Sequence, residues 1–299
     1  MNLLITGAWE QAQAHIESIE KRGHHVRYLQ YEKDALPCDY DWVEGVIGNG
    51  LFLFHPIEKF HNLKYIQLTS AGLDRVPMDY VKERNIKIFN AKGVYSIPIA
   101  EFVLGGVLQI YKQSRYFNDN QKTHKWEKHR GLLELNDRNV CIIGCGSVGN
   151  ACAKRFNAFE CTVTGVDINP YPNELYDTIL PIDSLDDALM RADIVVLTLP
   201  LNEMTRHLIN ANRLAIMKRG SVLVNVARGT IVDTDALIMA LKAQLGGAVL
   251  DVFEDEPLNE GSPLWDMTNV IITPHNSFVG TGNSKRMSAV IMSNLERLN

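Results

Sequence analysis

Four short segments carry residue types that could do chemistry together. They are GCGSVG with Gly144, Gly146 and Gly149, NVARG ending at Arg228 and Gly229, DVFEDEP ending at Glu256 and Pro257, and PH at Pro274 and His275. Glycines so spaced can let a pyrophosphate approach backbone N–H groups, an arginine is a fixed planar cation, and a histidine exchanges a proton near neutral pH. A carboxylate can orient that imidazole. Assembled in one place, these groups would suit delivery of a hydride and a proton to a small keto acid. No segment suffices alone, and the inference rests on the order and spacing of all four.

The glycine run follows the apolar strand VCII and precedes the helical pattern NACAKRF. In that setting the first glycine permits a tight turn, the second lets a pyrophosphate reach the backbone, and the third allows close helix–strand packing. Asp167 ends the next strand, TVTGVD, 18 residues beyond Gly149. A carboxylate there accepts from an adenosine ribose and repels a 2′-phosphate. Ile168, Asn169 and Pro170 provide no cation for that phosphate, so NAD is expected over NADP. The plainer reading of Asp167 is a solvated strand-end carboxylate.

Arg228 follows the apolar strand SVLVNVA and His275 follows VIITP, so both stand at the carboxyl ends of expected parallel strands, where α/β sheets bind ligands. A guanidinium grips a carboxylate in a planar fork, which fits a 2-keto acid. Glu256, in FEDEPL, could pair with His275, although Glu254, Asp255 and Glu256 also read as an ordinary acidic loop. Asp251, ending GGAVLD, points to the same rim and could accept from a nicotinamide carboxamide. The other eight histidines show no metal-ligand spacing, and no metal is expected.

These residues need a frame, and the chain of 299 residues is long enough for two domains. Short apolar runs alternate with helical patterns almost from end to end, the signature of parallel strands joined by crossover helices. The first series of strands is expected at Leu3 to Thr6, His25 to Leu29, Gly45 to Ile47, Tyr65 to Leu68 and Ile86 to Phe89, with a helix over Trp9 to Lys21 closed by Gly23. The second is expected at Val140 to Ile143, Thr162 to Val166, Ile194 to Leu199, Ser221 to Val226, Gly247 to Leu250 and Val270 to Thr273. Between them, Ile97 to Tyr116 reads as one long helix apolar on most sides, buried either in its own monomer or against another subunit. A last helical pattern, Ser284 to Leu298, could pack back on the first domain. With no flexible linker in between, the domains should be joined by short crossings with a cleft between them.

Composition narrows the partners. Thirty basic and 35 acidic residues give a net charge of −5 without long runs of either sign, which argues against a nucleic-acid surface. No apolar stretch approaches the roughly 18 residues that span a bilayer, and the N-terminus lacks a charged leader. The cysteines, Cys38, Cys141, Cys145, Cys152 and Cys161, are odd in number and four of them cluster in one expected strand–turn–helix region. That is reduced usage, and a cytoplasmic protein is expected.

Taken with SAGLDRV at Ser70 to Val76 and LPLNEMTRHLIN at Leu199 to Asn210, the chain resembles the D-isomer-specific 2-hydroxyacid dehydrogenase family, in the manner of its phosphoglycerate dehydrogenase and hydroxypyruvate reductase members, over nearly its whole length. The resemblance implies an α/β fold of two doubly wound parallel-sheet domains. A Rossmann NAD domain over residues 97–280 would be inserted in a flavodoxin-like substrate domain of residues 1–96 and 281–299. It implies that Arg228, Glu256 and His275 are catalytic, and that Gly144, Gly146, Ser147, Val148, Gly149, Asp167, Leu199, Pro200, Thr205, Val226, Ala227, Arg228 and Asp251 meet the cofactor NAD. Substrate would touch Ala71, Gly72, Leu73, Arg228 and His275, the backbone of Gly72 and Leu73 binding its carboxylate. Asn49, Leu51, Phe52 and Tyr95 follow expected strands and are candidate pocket residues. The family pattern also implies a homodimer formed through the NAD domain. Two departures stand out: Val148 replaces the usual isoleucine, and NSFVG after His275 replaces a stretch commonly rich in glycine or alanine. The chain stops at the end of a helix with no tail, which leaves open whether a few C-terminal residues are missing.

The implied activity interconverts a 2-keto acid and its D-2-hydroxy acid with NAD, His275 serving as acid and base, and closure hinging near Ile97 and Gly280. Glyoxylate, hydroxypyruvate and small aliphatic keto acids all remain open as substrates. Two alternatives stand beside this reading. One is a formate- or phosphonate-oxidising relative, although formate chemistry needs no Glu256–His275 pair. The other is an NADH-sensing module of the same fold with little turnover.

Overall fold

The computed structural model describes residues 1–297. The chain forms two compact units, one of Met1–Tyr95 with Gly280–Asn299 and one of Ser96–Val279. The second unit is thus inserted in the first.

The first unit begins with strand β1 (Asn2–Thr6), helix α1 (Ala12–Glu20) and β2 (His25–Leu29), then β3 (Gly45–Gly48), β4 (Tyr65–Leu68), α2 (Met78–Glu83) and β5 (Lys87–Phe89). Its strands are all parallel in the order β2-β1-β3-β4-β5. That is the flavodoxin-like order, and the direction of winding reverses between β1 and β3. Strands β3 and β4 are buried on both faces, as the uninterrupted apolar character of a parallel sheet requires. The expected first helix starts later than its pattern suggested. Trp9 lies outside α1, buried, with its indole N–H donated to Ser288 Oγ at 3.1 Å.

The second unit opens with α3 (Ser96–Tyr111) and α4 (Ser114–Lys122), then β6 (Asn139–Ile143), α5 (Ser147–Asn157), β7 (Thr162–Asp167), β8 (Thr178–Pro181), α6 (Leu185–Arg191) and β9 (Ile194–Leu197). It continues through α7 (Ala211–Ile216), β10 (Val222–Asn225), α8 (Thr234–Ala243), β11 (Gly247–Leu250) and β12 (Val270–Ile272). The sheet order β12-β11-β10-β9-β6-β7-β8 is that of a Rossmann fold with one added strand at the far edge. Alternate residues of each strand serve opposite layers. Val140, Ile142, Ile194 and Val196 pack with α3 and α5, whereas Cys141, Ile143, Val195 and Leu197 pack with α6, α7 and α8.

Two expectations are corrected here. The long helix does not run unbroken to Tyr116: α3 ends at Tyr111, Gln113 takes a left-handed φ of 53°, and α4 starts afresh at Ser114. Helix α3 is buried in its own unit, through Ala100, Val103, Val107 and Tyr111. Strand β8 was not anticipated, because an edge strand with only its middle half-buried lacks the apolar run that marks the central ones.

The final helix, α9 (Asn283–Glu296), belongs to the first unit, where Met287, Ile291 and Leu295 join the core beneath β1 and β3. Its expected end at Leu298 lies outside the described residues. Among the described residues, no helix is long and apolar enough to cross a membrane.

Candidate active site

The glycine loop sits between β6 and α5, and its glycines have different reasons to be there. Gly144 has a φ of 97°, and a Cβ on it would stand 2.8 Å from the Leu199 amide nitrogen. At Gly149 a Cβ would meet the Gly144 carbonyl oxygen at 2.2 Å, so helix α5 can lie this close to the loop only with glycine. Around Gly146, in contrast, the space is open. No side chain caps α5, and its first-turn N–H groups, from Ser147 and Val148 onward, border that space. An uncapped helix start beside an open glycine is a fitting cradle for a pyrophosphate.

Asp167 stands beside this loop at the end of β7. Its carboxylate accepts from the Cys145 N–H at 2.8 Å and from the Asn169 N–H at 3.0 Å. Tyr171, which the sequence did not single out, donates its hydroxyl to the Cys145 carbonyl at 2.6 Å and so braces the loop from the other side. On the opposite flank, Pro200 and Thr205 form a compact turn in which the Thr205 hydroxyl donates to the Pro200 carbonyl at 2.8 Å. The buried thiols near this loop are inert: burial pushes Cys141 and Cys152 up to about 12 and Cys145 up to about 11.

Arg228 emerges just past β10. Val226 and Ala227 lead to it, with the Ala227 N–H donated to Asn225 Oδ1 at 3.1 Å, and Asn225 Nδ2 donates back to the Arg228 carbonyl at 3.0 Å. The following Gly229 lies flat on the segment after β11; a Cβ there would fall 1.8 Å from the Phe253 carbonyl carbon. This close approach brings the Arg228 turn against the acidic loop.

Within that loop the three carboxylates have separate fates. Glu254 accepts from the Thr234 N–H at 2.8 Å and pairs with His207 at 3.1 Å. Burial tends to raise its pKa, but the hydrogen bonds from Thr234 and His207 outweigh this and hold the carboxyl below its usual range. Glu256 instead accepts from the Phe253 N–H at 3.1 Å through one oxygen and meets His275 Nδ1 at 2.9 Å through the other. The Glu256–Pro257 peptide bond is cis. With Nδ1–H donated to the carboxylate, the imidazole presents Nε2, and both side chains keep roughly two-fifths of their surface open, 44% for His275 and 39% for Glu256.

His275 itself has a φ of 50°, unusual for a residue other than glycine, and Asp251 is the reason it is held there. The Asp251 backbone carbonyl accepts the His275 N–H at 2.8 Å. Its side chain, 0% exposed, accepts from Thr273 Oγ1 at 2.5 Å, the Asn276 N–H at 2.7 Å and the Ser277 N–H at 3.0 Å. One buried carboxylate therefore folds the whole turn that carries the imidazole. Sequence reasoning placed Asp251 at this rim but missed this task. The signal was faint: a strand-end aspartate together with Thr273 two residues before His275.

Arg228, Glu256 and His275 thus come together at the carboxyl edge of β10, β11 and β12. Asn49, Ala71, Gly72 and Leu73 lie in the first unit, at the carboxyl ends of β3 and β4. Asn90 Nδ2 donates to the Ala71 carbonyl at 2.6 Å and Ser70 Oγ to the Gly72 carbonyl at 2.9 Å. Among the described residues, the Gly72 and Leu73 N–H groups take part in no hydrogen bond. Two adjacent free amides make a small nest for an anion. No cluster of metal-ligating side chains occurs among the described residues.

Comparison with known proteins bears on these units directly. Residues 104–277 match the family model described as D-isomer specific 2-hydroxyacid dehydrogenase, NAD binding domain. The chain is 34% identical over 243 residues to a glyoxylate reductase of Thermofilum pendens, covering 78% of this chain and 71% of that protein. It is 31% identical over 291 residues to a glyoxylate/hydroxypyruvate reductase A of Arabidopsis thaliana, covering 93% and 90%. Among solved structures, a D-isomer specific 2-hydroxyacid dehydrogenase from Xanthobacter autotrophicus in complex with NADPH and MES is similar with a TM-score of 0.80 at 29% identity, over 99% of this chain and 94% of that one. With the glycine loop, Arg228 and the Glu256–His275 pair inside or adjoining the matched segment, this chain belongs to the D-isomer specific 2-hydroxyacid dehydrogenase family.

Proposed function

We propose that this protein reduces a small 2-keto acid to its D-2-hydroxy acid with NADH, and runs the reverse reaction with NAD. The observation that carries the reading is the 2.9 Å bond between His275 Nδ1 and Glu256, set on the strand edge that also presents Arg228. When bound, the reduced nicotinamide supplies the hydride to the carbonyl carbon. His275 gives the proton on Nε2 to the carbonyl oxygen, while Glu256 keeps Nδ1–H directed at its carboxylate and stabilises the imidazolium before transfer. Arg228 holds the substrate carboxylate in its planar fork and polarises the carbonyl. Gly72 and Leu73, whose amides are free, and Ala71 and Asn49, all in the first unit, are proposed to contact substrate as well. In oxidation the roles reverse, and neutral His275 takes the hydroxyl proton.

The cofactor assignment rests on fit. The open space at Gly146 and the uncapped start of α5 suit a pyrophosphate, and Asp167 suits an unphosphorylated ribose. Ser147, Val148 and Gly149 would supply N–H groups, and Leu199, Pro200, Thr205, Val226 and Ala227 the walls. Asp251 would serve the site mainly by holding the His275 turn. A homodimer is proposed through the second unit, where Trp126 is 98% exposed in a stretch that also bares Phe117, Leu132 and Leu133. The free thiols of all five cysteines accord with a reducing, cytoplasmic setting.

The test is loss of NADH absorbance with a panel of 2-keto acids, repeated with NADPH. Rapid turnover of at least one acid, lost in His275→Ala while NADH still binds and lost in Arg228→Ala, is the expected result. Tight NADH binding without turnover on any acid would favour the sensing module instead.

A further inference from the structure

Among the described residues, the Gly146 N–H at the middle of the glycine loop takes part in no hydrogen bond. Gly146 is exposed and a Cβ on it would meet open space, so no side chain of its own settles which way its peptide planes face. The neighbours settle it instead. The Cys145–Gly146 peptide is trans and planar, and its C=O and N–H therefore point in opposite directions. Tyr171 donates its hydroxyl to the Cys145 carbonyl at 2.6 Å, which turns the Gly146 N–H away from the phenol. On the far side of Gly146, its carbonyl accepts the Asn150 N–H at 2.9 Å, the first bond of helix α5.

Three partners meet at that phenol. Its oxygen accepts from Asn150 Nδ2 and from Asn173 Nδ2, each at 3.1 Å, so one hydroxyl joins the loop to the start of α5. Donors on the oxygen polarise the O–H and strengthen its bond to the carbonyl. The segment that carries the ring is itself tied along the helix. Asn173 Oδ1 accepts the Leu175 N–H at 3.0 Å, and Asn157, the last residue of α5, donates its side-chain amine to the Leu175 carbonyl at 2.9 Å. Tyr171 is 40% exposed, and a phenylalanine would cover the same ground. What the position uses is the hydroxyl.

We propose that Tyr171 is a positioning residue for the cofactor's pyrophosphate: by holding the Cys145 carbonyl it aims the Gly146 N–H at the phosphate oxygens. This rests on the dinucleotide reading above and adds to it a residue outside the glycine motif that orients the loop. Without the hydroxyl, the peptide between Cys145 and Gly146 can rotate about its flanking bonds. A rotated peptide presents a carbonyl oxygen to an anion where a donor is needed.

The closing experiment titrates NADH, ADP and adenosine against the wild type, Tyr171→Phe and Asn150→Ala, by fluorescence for NADH and by its displacement for the other two. Tyr171→Phe should weaken NADH and ADP by about threefold to tenfold, the worth of one hydrogen bond, and leave adenosine, which has no phosphate, unchanged. Asn150→Ala keeps the helix N–H and removes one donor to the phenol, so it should shift the same two ligands by a smaller factor and supplies the answer if Tyr171→Phe fails to fold. KM for the keto acid should not move in either variant. Unchanged affinity for NADH and ADP in Tyr171→Phe would overturn the proposal, even if the thermal midpoint fell. Adenosine weakened as much as ADP would overturn it too, since the phenol would then act on the nucleoside and not through the loop. A wild type that binds neither NADH nor ADP would overturn the dinucleotide reading and this inference together, whereas absence of turnover on every keto acid would overturn only the dehydrogenase reading and leave the binding results to decide.

Discussion

Replacing Asp251 with asparagine should damage both the stability and the chemistry of this protein, because three donors converge on a carboxylate with no access to water. The Thr273 hydroxyl can rotate to accept, but the Asn276 and Ser277 N–H groups cannot. An asparagine must turn its amine toward one oxygen position or the other. If it keeps the oxygen toward Asn276, the Ser277 N–H is left facing an amine in a place only 4% exposed. Loss of a charge-assisted bond, with a buried donor unpaired, costs about 2–4 kcal/mol, partly offset because a buried charge has been removed. The turn that supports the left-handed His275 then loosens, and a displacement of the imidazole on the order of 1 Å lowers kcat about 100-fold. Urea denaturation measures the first effect and single-turnover NADH oxidation the second. Thr273→Val is the control that removes only the rotatable donor and should cost less on both. Wild-type kcat in Asp251→Asn would refute the argument that this carboxylate positions the histidine, even if the denaturation midpoint fell.

Further outcomes follow from the same geometry. Glu256→Gln should lower kcat by about 10- to 100-fold with NADH binding retained, whereas Glu254→Gln should chiefly affect stability, since Glu254 serves Thr234 and His207; equal kinetic losses in the two would undo the assignment. Gly146→Ala should leave the thermal midpoint unchanged, because a Cβ there meets open space, yet weaken NADH binding by about tenfold or more as judged by fluorescence titration; Gly149→Ala should do the reverse and destabilise the fold. Asp193 is buried, which tends to raise its pKa, but the Lys218 ammonium at 2.6 Å and the Asn139 N–H hold it below the usual carboxylate range. A carboxylate held low in the folded state lends stability above its unfolded value near pH 4 and loses it as the pH falls through the folded value. Lys218→Met should therefore cost about 1 kcal/mol at neutral pH, and the gap from wild type in denaturation midpoint should close in acid.

Much of the site could be read in the chain because it is local. A strand, a glycine turn and a helix start occupy consecutive residues from Val140 to Phe156, and the glycines are required by contacts within or next to that unit. Arg228 and His275 could be placed at strand ends for a similar reason, since each follows an apolar run that reads as a buried parallel strand, and such strands end where ligands bind. The α/β class and the two series of strands followed from the same periodicity.

What needed the tertiary structure was every choice among equivalent local options. Nothing in FEDEP distinguishes Glu256 from Glu254; His207, brought in from before β10, claims one and His275 the other. Strand order is likewise silent in the sequence, yet it placed β10, β11 and β12 side by side and so collected Arg228, Glu256 and His275 on one edge. Asp251 looked like one more strand-end acid until the fold wrapped the turn of residues 273–277 around it, and Tyr171 gave no sign at all, because the Cys145 carbonyl and the Asn150 side chain it meets lie 26 and 21 residues away. The break at Gln113 and the edge strand β8 were hidden for the complementary reason, that an apolar pattern records burial and not the path of the backbone. Periodicity and motif spacing are local properties that the sequence carries in full; pairing between distant side chains is decided only when the sheet closes and water is excluded from the groups it brings together.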